Sequence, residues 1–186
     1  MTGDELRNEM ILKDIRQAVA DGRSPIVLTE LREHLDLLAE RLAPHVRNVV
    51  VFRGGMGARQ RASIAEQLTG IAENEERVLL STGRYLGEGF DDPRLDTLFL
   101  TMPISWRGTL ARYAGRLHRL QDSMTEVVIY DNADLKVPML TRMHERRRSG
   151  YRAIGYQAAC FEATGAKAPG DDVAHRDKKQ PARLPE

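Results

Sequence analysis

The residues in this 186-residue chain best suited to chemistry are three arginines, Arg112, Arg116 and Arg119. They lie in the stretch Ser105-Trp106-Arg107-Gly108-Thr109-Leu110-Ala111-Arg112-Tyr113-Ala114-Gly115-Arg116-Leu117-His118-Arg119, which follows an apolar run ending at Pro103. Ser105 suits a helix N-cap. Leu110, Tyr113, Ala114 and Leu117 recur at helical spacing as one apolar stripe. The three arginines fall at i, i+4 and i+7 on another face. Like charges so placed repel by roughly 0.2–0.5 kcal/mol per pair, so the arrangement favours an anionic partner. Arginine's planar fork suits phosphate oxygens. A solvated basic face accounts for the same spacing.

Two other segments carry groups that could meet a ligand. Arg53-Gly54-Gly55-Met56-Gly57 is a glycine-dense turn between a strand-like run and a helical one. Glycine permits close backbone approach, and a helix N-terminus favours anions. The second segment, Thr82 to Pro93, contains Gly83, Gly87 and Gly89 with the carboxylates Glu88, Asp91 and Asp92. Read locally, these are a plain strand-to-helix turn and an acidic surface loop.

Taken together, the three segments resemble motifs of superfamily-two helicases, in the same order. Gly115-Arg116-Leu117-His118-Arg119 resembles the G-R-x-x-R core of motif six. Glu88-Gly89-Phe90-Asp91-Asp92-Pro93 resembles motif five in its E-G-x-D-x-P form. Val51-Phe52-Arg53-Gly54-Gly55-Met56 resembles the segment usually written L-H-G-G-M. The motif style is closest to restriction-type and excision-repair-type DNA helicases of the DEAD/DEAH class, and the resemblance spans roughly residues 5 to 155. It implies the C-terminal RecA-like lobe of a motor. On that reading Arg116 and Arg119 are catalytic, while Gly89, Asp91 and Arg112 face ATP. Arg53, Gly54, Gly55 and Thr82 then meet the nucleic-acid backbone. Two positions depart from the family pattern: Arg112 replaces the usual Gln or His, and Arg53 often-present His.

The sequence has no G-x-x-x-x-G-K-[ST] and no D-E-x-H or D-E-x-D box. In the family these belong to the first lobe, which holds the phosphates and Mg²⁺. The expected partners are therefore an N-terminal lobe carrying the Walker motifs and a nucleic acid, DNA before RNA. ATP and Mg²⁺ would bind only in the complete two-lobe motor, and this chain alone should not hydrolyse ATP. A non-catalytic RecA-like module for nucleic acid or protein is the alternative. An unrelated α/β enzyme using Asp91 and His118 as base and acid has nothing in the sequence to position that pair.

The elements needed to hold these segments are legible as alternating runs. Helices are predicted over 3–21, 31–42, 58–72 and 137–161, besides the arginine helix. Strands are predicted over 26–29, 48–52, 77–81, 95–101 and 125–130. The pattern implies an α/β fold of RecA-like, three-layer type, with a mainly parallel sheet of at least five strands flanked by helices. Ligands in such sheets bind beyond the carboxyl ends of strands, and all three segments follow predicted strands. The expected lobe covers 1–162, and a flexible tail rich in Pro, Gly, Lys and Asp covers 163–186.

Composition narrows the function classes. No apolar run is long enough for a membrane span, and no leader is evident, which predicts a cytoplasmic protein. The single cysteine, Cys160, excludes an internal disulfide, and the five histidines lack ligand spacing. Net charge is only +1, but residues 101–152 hold nine Arg and one Lys against five acids, or +5. The arginines of 142–152 read as a solvated helix face or a surface for nucleic acid or a neighbouring domain.

Overall fold

The computed structural model describes residues 4–82, 92–101, 126–133, 137–160 and 172–177. The chain divides into two compact units, Met1–Leu95 and Asp96–Glu186.

The first unit contains α1 (Glu5–Ala20), β1 (Pro25–Thr29), α2 (Arg32–Leu42), β2 (Val49–Phe52), α3 (Ala58–Gly70) and β3 (Val78–Thr82). Asp4 caps α1 by accepting the Arg7 N–H at 3.1 Å, and Gly22, at φ +77°, follows its end. Ile11, Leu12, Ile15, Ala18 and Val19 form its buried stripe. Leu6 and Met10 recur at the same helical spacing, yet Leu6 is exposed and Met10 only half-buried. Asn8 is buried there instead, because His34 offers it a hydrogen bond. Strand β3 lies between β2 and β1, and both ladders are parallel. All five residues of β1 and of β3 are buried. This explains why they read as continuous rather than alternating apolar runs.

The second unit contains β4 (Thr97–Leu100), β5 (Glu126–Asp131), α4 (Pro138–Ala153), β6 (Gln157–Cys160) and β7 (Asp172–Asp177). Strand β5 pairs in parallel with β4, and the Phe99 and Tyr130 rings stack across that ladder with centroids 4.3 Å apart. Strand β7 runs antiparallel to both β5 and β6. Helix α4 begins with Pro138 at a first-turn position, where its missing N–H costs nothing. It ends eight residues before the predicted Phe161. Gly155, at φ +87°, turns the chain into β6. Strand β7 lies within the range expected to be a tail.

Among the described residues, five strands thus lie in parallel ladders, three in the first unit and two in the second, with α2 and α3 connecting those of the first. No helix among the described residues is long and apolar enough to cross a membrane.

Candidate nucleic-acid interface

The parallel register of β2 and β3 pairs Phe52 with Ser81. The residues just beyond each strand therefore emerge at the same sheet edge. Gly54, after β2, donates its N–H to Thr82 Oγ1 at 3.0 Å. A Cβ on Gly54 would stand 3.1 Å from that oxygen, tighter than ordinary packing allows. Gly55 adopts φ +86°, a conformation that side-chain-bearing residues rarely take. Gly57 then starts α3 with no side-chain cap; its own N–H goes to Gln60 Oε1 at 3.1 Å. Arg59 and Arg61, both exposed, lie in the opening turns of this helix.

Helix α2 holds the turn from its other side. Arg32 Nη2 donates to the Gly54 carbonyl at 3.0 Å, and Asp36 Oδ1 accepts from Arg53 Nη2 at 2.6 Å. These two α2 residues are four apart and share a face. Burial fixes α2 in turn. His34 Nε2 lies 3.2 Å from Asn8 Oδ1 on α1, and Nδ1 lies 3.1 Å from Thr29 Oγ1 on β1. The amide oxygen accepts only, so Nε2 carries the proton and the Thr29 hydroxyl donates. Burial, helped by the Arg7 charge, lowers the His34 pKa to about 4, so the ring is neutral at physiological pH.

The segment 83–91 leaves at Thr82 and rejoins the described chain at Asp92. That return is anchored by charge. Arg77 is fully buried and donates from Nη2 to Asp92 Oδ1 at 2.9 Å, while Nη1 lies 2.6 Å from Oδ2. From sequence, Arg77 is only a strand residue and Asp92 a surface carboxylate.

The basic helix of the second unit is not a uniformly solvated face. Arg147 is 1% exposed. It donates to Asp131, at the end of β5, from Nε at 2.6 Å and from Nη2 at 2.9 Å. Tyr151 donates to the same carboxylate at 3.1 Å, and His144 Nδ1 lies 3.6 Å away. Burial pushes the Asp131 carboxyl up, but His144 and Arg147 outweigh it and hold the group below the ordinary carboxylate range. Burial and the Asp131 charge push Tyr151 well above the usual phenol value. The cluster locks α4 onto β5.

Arg53, Gly54, Gly55 and Thr82 are therefore brought to one place. Gly89, Asp91, Arg112, Arg116 and Arg119 lie outside the described residues, as does His118. Sequence reasoning missed Arg32 and Asp36, although a polar pair at i, i+4 just after a strand hints at them. Among the described residues no group of His, Cys, Asp and Glu could hold a metal ion.

With this geometry, the chain superposes on the crystal structure of T4 UvsW with a TM-score of 0.62, at 14% identity, over 81% of this chain and 33% of that one. The fold is RecA-like. The C-terminal part of the Fun30 ATPase domain matches with a TM-score of 0.52, at 15% identity, over 65% of this chain and 40% of that one. In sequence, the chain is 29% identical over 136 residues to the transcript termination protein A18 of vaccinia virus (strain Tian Tan). The same identity relates it to the transcript termination protein OPG145 of monkeypox virus. Each match covers 72% of this chain and 27% of the viral protein, so the chain spans about a quarter of the length of these relatives. No family profile matches the chain.

Proposed function

We propose that this chain is the second motor lobe of an ATP-dependent superfamily-two helicase or translocase acting on nucleic acid, DNA in preference to RNA. The observation that carries the reading is the 3.0 Å hydrogen bond from Gly54 to Thr82. It joins two segments, 28 residues apart, that the helicase resemblance independently assigns to the nucleic-acid backbone. The similarity to viral transcript termination proteins and to an ATPase domain supports the same class.

In the working motor, the first lobe would supply the Walker lysine and Mg²⁺, which neutralise phosphate charge. Arg116 and Arg119 would reach the γ-phosphate from across the cleft, with Arg112, Gly89 and Asp91 beside the nucleotide. Arginines that stabilise such transition states contribute about 10³–10⁵ in rate. Thr82 and the Gly54-Gly55 turn would grip the nucleic-acid backbone, the glycines allowing the main chain to approach a phosphate.

The test is kcat of the two-lobe protein at saturating nucleic acid. Arg119→Ala should cut turnover heavily with a smaller effect on ATP affinity. Arg119→Lys should not rescue it, since lysine lacks the planar fork. If both variants and Arg116→Ala keep kcat within about twofold, or roughly 0.5 kcal/mol of barrier, the arginine helix is not part of an ATP site.

A further inference from the structure

Helix α4 turns two different faces to its surroundings. Leu140, His144, Arg147 and Tyr151 are buried on the inner one, and the Asp131 carboxylate fixes that face through Arg147 and Tyr151. Arg142, Glu145, Arg146, Ser149 and Arg152 are all exposed on the other. At 3.6 residues per turn, Arg142, Arg146 and Ser149 fall within about 60° of one another, and Arg152 borders them. From Arg142 to Arg152 the face runs about 15 Å.

These arginines are unlike the exposed arginines of the first unit. There Arg41 meets Glu5 and Glu9, Arg47 meets Glu75, and Arg53 meets Asp36. On α4, Arg142 Nε reaches only the Pro138 carbonyl, at 3.4 Å. Among the described residues, Arg142, Arg146 and Arg152 have no carboxylate partner. Glu145 is the single acid in the helix. Arg142 and Arg146 are four residues apart, where like charges repel and weaken a helix unless an anion covers them.

The chemistry of the face selects the anion. The centre of a protein interface is apolar, but the exposed large apolar side chains here, Val137 and Met139, both precede Arg142. Single strands are held by stacking bases on aromatic rings, and Tyr151 and Tyr156 are buried. What the face offers is guanidinium forks and a hydroxyl, the groups that contact backbone phosphates. Phosphates along one strand of B-DNA recur about every 3.4 Å, so the face matches about four of them. The Asp131 lock holds it rigid for that purpose.

We propose that the outward face of α4, with Arg142, Arg146, Ser149 and Arg152, is a docking surface for the phosphate backbone of a nucleic-acid duplex. The inference rests on the proposed motor function and adds a contact separate from the Gly54-Gly55 turn.

The experiment measures the Kd of a fluorescent DNA duplex, and of one of its single strands, for the two-lobe protein over a range of salt concentrations. Replacing Arg142, Arg146 and Arg152 together by Gln should weaken duplex binding at low salt by about tenfold or more and lower the log–log salt slope by about 2.7, or about 0.9 per lost contact. The single-strand Kd should stay within about twofold. The triple Lys variant keeps the charges and should keep the slope. Glu145→Gln should tighten the duplex complex. Arg146→Gln alone, with a slope lowered by about 0.9, decides the matter should the triple Gln variant not fold. An unchanged duplex slope overturns the docking surface and marks a solvated face. Duplex and single strand weakened in equal proportion overturn it too. Polyglutamate that displaces the duplex at equal charge concentration overturns it in favour of an acidic protein. A parent that binds the single strand but not the duplex overturns the docking surface and leaves the motor reading standing, whereas a parent that binds neither overturns the motor reading itself.

Discussion

Substituting Gly54 by alanine should harm the protein only as long as Thr82 keeps its hydroxyl. A Cβ at position 54 would lie 3.1 Å from Thr82 Oγ1, and Thr82 is 8% exposed at the end of a buried strand. The hydroxyl must move, and the 3.0 Å bond from the Gly54 N–H is lost with it. Leaving that donor unpaired costs about 1–2 kcal/mol. The lower chain entropy of alanine returns about 0.4–1 kcal/mol. Gly54→Ala should therefore destabilise by up to about 1.6 kcal/mol, at about 2–4 °C in Tm per kcal/mol for a chain of this size. In a Thr82→Ala background the bond is already absent and the new methyl group has room. There, Gly54→Ala should be neutral or slightly stabilising. Urea denaturation of the four proteins completes the cycle, with an expected interaction of about 1 kcal/mol. Gly55→Ala is the control: its cost of about 1 kcal/mol comes from the φ of +86°, so it should be indifferent to Thr82. Effects of Gly54 and Thr82 that add to within about 0.5 kcal/mol would show that the turn and the strand end are not joined as described.

Three other perturbations follow from the same contacts. Asp36→Asn releases Arg53 from an ion pair between half-exposed partners. Stability should move by less than about 0.5 kcal/mol, while oligonucleotide binding tightens and its log–log salt slope steepens by up to about 0.9; a weaker complex would mean that the pair serves to place Arg53. The stability of the first unit should hide two opposed titrations. His34, lowered to about 4, contributes stability that is complete above pH 6.5 and lost as pH falls toward 4. Asp14, raised by burial to about 6 against the Lys13 charge, contributes stability present below pH 3.8 and lost as pH rises through 6. Their shifts are worth up to about 3 kcal/mol for His34 and, with solvent around the half-buried Asp14, about 1–2 kcal/mol. His34→Gln should expose a loss with rising pH, and Asp14→Asn a loss with falling pH, in urea midpoints between pH 4 and 7; superimposable profiles of parent and variants would remove both assignments. Asp131→Asn leaves the buried Arg147 charge uncompensated and should cost about 3–5 kcal/mol, against about 1 kcal/mol for Tyr151→Phe; a thermal melt of Asp131→Asn within about 1 kcal/mol of the parent contradicts the lock.

The elements were legible where one local signal dominates. Ile26–Thr29 and Val78–Ser81 are short apolar runs bounded by polar residues, and burial on both faces is what such runs mean. Helix α2 was equally plain from Leu31, Leu35, Leu38 and Leu42, although Leu31 proves to be its exposed N-cap residue and only the other three are buried. Helix α4 was over-extended because Gln157-Ala158-Ala159-Cys160 carries no strand pattern of its own. Its pairing with β7 is a tertiary fact. The turn at Gly54 was visible as glycine density, but its tie to Thr82 was not, since nothing local links residues 28 positions apart. The buried arginines were the least legible. Arg77 and Arg147 have the composition of a surface, and only a carboxylate brought in from a distant segment makes their burial tolerable.

The position of β3 also governs when the first unit can form. Strand β3 is the last of the three to be synthesised, yet it lies between the other two. A nascent chain that has not reached residue 78 holds β1 and β2 without the partner they share. At about 5–20 residues per second, the gap from Phe52 to Thr82 lasts a few seconds. During that interval two apolar strands present open hydrogen-bonding edges, the condition under which chains pair with the wrong neighbour. Termination anywhere before Val78 should therefore yield an aggregating fragment rather than a smaller folded unit. The glycine turn and the end of β3 then become a working site in the same event that closes the sheet.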